Sequence, residues 1–326
     1  MAKKRRVPAT RGRAVPRQQK RTKRIERRRD LFIGAVTLAL LLAAALGAAL
    51  GLSLLRDGDG GSPARDALAP IEEPGPIHVH GLGVNRADGA LYIATHTGLW
   101  RVAPEEEQAE RVGDRFQDTM GFTVAGSNHF LGSGHPDPRD LRDGRLPPLL
   151  GLIESRDAGR TWRPISLLGQ ADLHVLRHTG DRVYGFDATS GRLLVSRDEG
   201  RTWTGRRLPA RLIDLVADPR SSGRVLATTE QGLFESTDAG ETWRKRGEAV
   251  ALLAWPAPTR LYAVDSAGRV LASVNSGGQW SAVGDVGGRP AAFLAAGPRD
   301  LYVALHDGTI KRSADRGLTW RVRSSP

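Results

Sequence analysis

The stretch from Ser196 to Trp203, SRDEGRTW, decides how the rest of the chain is read, because it comes back four more times. The other copies are SRDAGRTW (from Ser155 to Trp162), STDAGETW (Ser236 to Trp243), SVNSGGQW (Ser273 to Trp280) and SADRGLTW (Ser313 to Trp320). Their tryptophans follow one another at intervals of 41, 40, 37 and 40 residues. A repeat of that length is one supersecondary unit that buries its apolar face only against its neighbours. Within each copy the glycine (159, 200, 240, 277 or 317) suits a tight turn that needs positive φ. The acid two residues earlier (Asp157, Asp198, Asp238 and Asp315, with Asn275 in the fourth copy) suits an acceptor for the turn's backbone N–H groups. The tryptophan carries apolar surface into the space between neighbouring sheets. All of these roles are structural.

Two short β-rich runs precede each copy. The second is the clearer, beginning at Leu91, Phe130, Val183, Val225, Leu261 and Leu301. That makes six units, the first without the SxDxGxTW element and with Glu105, Glu106 and Glu107 in its place. Residues 78–326 divided by six give about 41 residues per unit, enough for a four-stranded blade. The expected fold is all-β, a six-bladed β-propeller. Seven blades would require strands from a segment rich in Gly and Pro. A ring also leaves fewer sheet edges than an open sandwich does.

The repeated element resembles the Asp box, or BNR repeat, of sialidases, the sortilin family and the photosystem II assembly propellers. The segments HVHGL from His78, ATHTGL from Ala94 and GHPDP from Gly134 also resemble bacterial membrane-anchored propellers of the glycosylhydrolase/exo-sialidase-like kind. The resemblance covers residues 78–326 and implies a fold more firmly than a reaction. It implies that the box is a scaffold element, lying between the third and fourth strands of a blade and away from any active site.

The first 77 residues are of a different kind. Residues 1–30 hold fourteen Lys and Arg against two acids, which accounts for the whole net charge of +12. The basic balance therefore describes a tail, expected to be disordered and cytoplasmic, and gives no evidence of a nucleic-acid-binding fold. From Leu31 to Leu55 the chain carries no charge, long enough as a helix to span a bilayer. Arg27, Arg28 and Arg29 precede this run with no matching cluster after it, so the C-terminal bulk is expected outside. A cleaved signal sequence is the alternative, although such apolar regions are shorter. Residues 56–77 read as a Gly/Pro linker. The chain has no cysteine, so the exported domain must stand on its core alone.

In a propeller the innermost strand of each blade lines a channel. The starts of first strands and the ends of second strands would then share the face opposite the boxes. Second-strand ends carry His96, His135, Asp187, Glu230, Asp265 and His306; first-strand starts carry His78, His80, Asp118, Asp172, His174 and Asp214. Six of the eight histidines fall in this set, leaving His129 and His178. Convergent polar residues on a concave surface suit a ligand pocket, although strand ends favour Asp for turn chemistry as well. No cofactor motif is evident; imidazole and carboxylate together leave a divalent metal open. A Pro-rich insertion from His135 to Pro148 belongs to the same face.

Sialidases, by resemblance, use an arginine triad, an F/Y-R-I-P element and a Tyr nucleophile. The corresponding stretch from Ala87 to Val102 lacks that element, and Tyr92, Tyr184, Tyr262 and Tyr302 all sit in second-strand runs beside apolar residues. The leading expectation is an extracytoplasmic propeller binding an envelope protein or a small polar ligand at its channel face. The alternative is a glycoside hydrolase using the channel-face carboxylates Asp187, Glu230 and Asp265.

Overall fold

In every blade the chain makes four antiparallel strands in sequential order, so each sheet is a meander drawn from one continuous segment. This computed structural model describes residues 75–326. The basic tail, the apolar run from Leu31 to Leu55 and all but the last three residues of the linker lie outside the described residues. Blade I comprises β1 (Val79–Val84), β2 (Leu91–Thr95), β3 (Gly98–Val102) and β4 (Glu110–Arg111). Blade II comprises β5 (Asp118–Gly126), β6 (His129–His135), β7 (Leu152–Ser155) and β8 (Arg163–Ser166). Blade III runs from β9 (Leu173–Thr179) through β10 (Arg182–Asp187) and β11 (Arg192–Ser196) to β12 (Thr204–Arg206). Blade IV runs from β13 (Leu212–Asp218) through β14 (Ser221–Thr229) and β15 (Gly232–Ser236) to β16 (Arg244–Gly247). Blade V holds β17 (Ala251–Ala257), β18 (Arg260–Asp265), β19 (Arg269–Ser273) and β20 (Ser281–Asp285). Blade VI holds β21 (Pro290–Ala295), β22 (Leu301–Leu305), β23 (Ile310–Ser313) and β24 (Arg321–Ser324).

The inner strands β1, β5, β9, β13, β17 and β21 touch in a ring, with β21 back against β1. Apolar surface is buried between blades, one core to each neighbouring pair. Closure uses no strand shared between the two ends. Val79, Ile93 and Trp100 of blade I pack on Tyr302, Ala304 and Ile310 of blade VI. Arg323 of β24 donates to the carbonyls of Ala103, Pro104 and Glu106 across that seam. Among the described residues no helix is long and apolar enough to cross a membrane.

The repeated turn joins the third strand of a blade to the fourth. Ser196 Oγ donates to Asp198 Oδ1 (2.7 Å) and accepts from Gly200 N (2.8 Å). Asp198 accepts from Thr202 N at 2.9 Å and from Thr202 Oγ1 at 2.7 Å. The same bonds recur from Ser155, Ser236 and Ser313, and Asn275 supplies the acceptor in the fourth copy. Glycine is not alone in taking positive φ there. The residue before it does so too, at Ala158, Glu199, Ala239, Ser276 and Arg316, and two successive positive φ values suit the twist of a hairpin. The box tryptophans are half-buried at the blade edges, and Trp203 Nε1 donates to Ser166 Oγ of the preceding blade (2.9 Å). Blade I, which lacks the element, has Trp100 buried in the closing seam with the Arg111 guanidinium 4.5 Å above its ring.

Candidate functional site

A recurrent irregularity at the start of the inner strands positions the site. Pairing of β1 with β2 jumps from Val79↔Thr95 to Gly81↔Ala94, leaving His80 as an extra residue. The same jump leaves out Met120, His174, Ile213 and Ala291 in blades II, III, IV and VI. A β-bulge re-aims a side chain. Of these five, His80, His174, Ile213 and Ala291 line the central channel, a cavity of about 470 Å³. Blade V pairs without a break at this point, from Ala251↔Asp265 to Leu252↔Val264.

The structure gathers seven of the sequence candidates, His80 among them, from three blades. His96, in the turn after β2, has its ring centroid 4.3 Å from that of His80 and 5.5 Å from that of His78. His78 itself takes a φ of +53°, unusual for a residue with a Cβ. Asp118, first residue of β5, brings Oδ1 to 2.9 Å from His96 Nδ1 and 3.7 Å from His80 Nε2. Its Oδ2 lies 3.3 Å from Nδ1 of His135, its cross-strand partner at the end of β6. That pairing depends on Gly134, at φ +133°, where a Cβ would fall 2.1 Å from the Asp118 carbonyl oxygen. The far nitrogen of His135 lies 3.8 Å from Asp172 Oδ2, which accepts from His174 Nε2 at 2.7 Å. An imidazole–carboxylate chain therefore runs from His78 to His174.

The chain is incompletely satisfied. His80 Nε2, Asp118 Oδ1 and Asp172 Oδ1 are buried atoms without a hydrogen-bond partner; His96 Nδ1 is close to Asp118 Oδ1 but not aligned for a bond. Burial, reinforced by neighbouring His96, pushes the His80 imidazole down to about 4 against the pull of Asp118. His80 is therefore neutral at physiological pH.

The remaining candidates are held elsewhere. Asp187 accepts from Asp172 N, Thr189 N, Ser190 N and Ser190 Oγ. Burial works to raise its carboxyl, but these bonds outweigh it and hold it below the ordinary range. Asp214 is buried and lines the channel, yet its oxygens are taken by Arg177 Nη2 (2.5 Å), Leu215 N and Leu253 N. Asp265 closes its own turn on Ala267 N and Arg269. Glu230 is exposed and paired with Arg211 at 3.2 Å. His306 is exposed in the turn after β22. The insertion after His135 contains a one-turn helix α1 (Pro138–Arg142), capped by Asp137, which also accepts from Phe116 N at 2.9 Å. The four tyrosines are core residues, and Tyr184 is pushed up to about 12 by burial.

A second polar cleft of about 420 Å³ contains both histidines outside the candidate set, with His129 Nε2 3.0 Å from Glu154 Oε2 and His178 nearby. Sequence reading missed it. The only signal is that His129 opens β6 and His178 lies near the end of β9, both at the strand ends opposite the cluster.

No family profile matches the chain. It is 33% identical over 99 residues to the dispase autolysis-inducing protein of Streptomyces mobaraensis, covering 30% of this chain and 26% of that one. It is 27% identical over 201 residues to a xyloglucanase of a Paenibacillus species, covering 44% of this chain and 19% of the enzyme. The chain thus spans only about a fifth to a quarter of these relatives' lengths. Among solved structures, a chain of a nidogen/laminin complex superposes with a TM-score of 0.56 at 14% identity. That superposition covers 72% of this chain and 96% of the other, and shows a shared fold.

Proposed function

We propose that this protein is a membrane-anchored propeller, held outside the cytoplasm by the run from Leu31 to Leu55, that binds a polar ligand or partner segment at the His-rich mouth of its channel. The observation that carries the reading is the set of buried, unpartnered nitrogen and oxygen atoms on His80, Asp118 and Asp172, members of one imidazole–carboxylate chain that His80 and His174 bring to the channel. Buried polar groups without partners are costly, and their concentration beside a cavity favours a binding surface over a scaffold. The one-sided positive charge around the apolar run supports the topology.

Histidine footprinting with diethyl pyrocarbonate tests this. Native membranes and purified full-length protein are compared, both in chelator. His96, His135 and His174 are expected to be protected in membranes, with His306 equally reactive in both. Equal reactivity of all four would remove the binding reading. Protease added to intact cells is expected to remove the propeller and spare the tail; the reverse would remove the topology.

The matched xyloglucanase favours a second reading, glycoside hydrolysis. Such chemistry needs two carboxyls, ~5–5.5 Å apart for retention or ~6.5–9.5 Å for inversion. Asp187 and Asp265 are committed to their own turns and Glu230 to Arg211. Asp118 and Asp172 are the channel-face acids whose carboxyls bond only histidine. Release of reducing ends from xyloglucan, lost in Asp118→Asn, would move the protein to this reading.

A further inference from the structure

We infer that His80, His96 and Asp118 form a binding site for a divalent transition-metal ion of the zinc type. The inference deepens the binding reading of the channel mouth and rests on it for the ion's purpose, though not for its geometry.

One ligating atom from each of the three residues lies within 4.8 Å of the others. In a tetrahedral zinc site with bonds near 2.0–2.1 Å, neighbouring ligand atoms stand ~3.3 Å apart. The observed separations from Asp118 Oδ1, 2.9 Å to His96 Nδ1 and 3.7 Å to His80 Nε2, bracket that value. Two of the three atoms, His80 Nε2 and Asp118 Oδ1, are buried without any hydrogen-bond partner. A cation between them takes a lone pair from each at once, with His80 in the tautomer whose Nε2 carries no proton. Two imidazoles and one carboxylate suit zinc, while an all-oxygen set would suit magnesium or calcium.

The surroundings fit the same assignment. A ligating carboxylate is normally held by an outer hydrogen bond, and His135 Nδ1 lies 3.3 Å from the second oxygen of Asp118. Asp172 and His174 continue that outer layer. The bulge at His80 turns its ring toward the site, and the side chain of His96 is 45% exposed. Three protein ligands with an exposed edge leave a fourth position open to solvent.

The test uses full-length protein purified in detergent without a histidine tag, stripped with chelator and titrated with zinc ion alone. One zinc per chain is expected. His80→Ala, His96→Ala and Asp118→Ala should each abolish that one-to-one binding, and His135→Ala should weaken it by about 10–100-fold. His306→Ala and His129→Ala should leave it unchanged. His96 is exposed, so its variant keeps the test interpretable if His80→Ala fails to fold. Cobalt in place of zinc should give visible absorption bands that His96→Ala alters. No bound zinc, or stoichiometric binding retained in both His96→Ala and Asp118→Ala, overturns the proposal. Absence of the footprint, with zinc binding by the purified protein intact, would instead overturn only the ligand reading. Absence of zinc with the footprint intact would overturn only the metal.

Discussion

Blades I to III and, in the other half of the ring, blades IV and VI build the channel mouth from the same backbone device and arrive at opposite results. The bulge near the start of the inner strand puts His80 and His174 at the channel in the first half, but Ile213 and Ala291 in the second. At the second-strand ends, His96 and His135 reach carboxylates that come from other strands, whereas Asp265 folds back onto its own turn. The difference separates two kinds of polar residue on one face. Some acceptors are consumed by backbone N–H groups and hold the sheet ends in place. Others bond only to further side chains and leave atoms unpaired. A scaffold needs the first kind, and the second is where a binding role leaves its mark.

Stability measurements in chelator should sort the acids the same way. The largest effect belongs to Asp214→Ala, which leaves two buried backbone N–H groups, of Leu215 and Leu253, without their acceptor and takes one of its partners from Arg177, and is expected to cost about 3–5 kcal/mol. Urea unfolding would check it, and a cost below that of Asp118→Asn would erase the contrast. Asp187→Ala frees Asp172 N, Thr189 N and Ser190 N and should cost about 1–3 kcal/mol by the same assay. Asp118→Asn removes no backbone acceptor; a change within about 1 kcal/mol is expected. A destabilisation as large as that of Asp214→Ala would make Asp118 another scaffold acid.

The box face supplies a third reference, visible only in acid. Hydroxyl and backbone donors from Thr202, Thr242 and Thr319 hold Asp198, Asp238 and Asp315 at about 2. Because these carboxyls are depressed in the fold, their contribution is complete above about pH 4 and is lost as pH falls toward 2. Asn275 carries no such charge, so the blade V turn should contribute nothing to that window. Acid titration followed by circular dichroism should show Thr202→Val unfolding at higher pH than wild type, while Gln279→Ala leaves the acid midpoint in place.

The architecture was legible because the SxDxGxTW turn writes its hydrogen bonds into the Ser, Asp and Thr side chains at fixed spacing, and five of the six blades repeat the element. The strand-end register was legible too, since period and turn together fix which ends share a face. Side-chain direction was not. Nothing in HVHGL marks His80 as the residue left out of the pairing, and only the jump between Val79 and Gly81 turns it toward the channel. Likewise an Asp at a strand end reads the same whether it caps its own hairpin, as Asp187 does, or meets histidines from another blade, as Asp118 does. Trp100 was equally opaque, being with Trp255 one of two tryptophans outside the repeated element and proving to lie in the seam where the ring shuts.

That seam has a consequence for how the chain is threaded. The described segment starts and finishes at one place: Pro326 lies against Gly75, and both Pro76 and Pro326 approach Gly308. Since no sheet draws strands from both ends, joining 326 to 75 and opening the loop between Arg206 and Leu212 would leave all six meanders whole. Such a circular permutant should keep the wild-type fold, with the old seam converted to an ordinary covalent junction and the III–IV boundary made the new one.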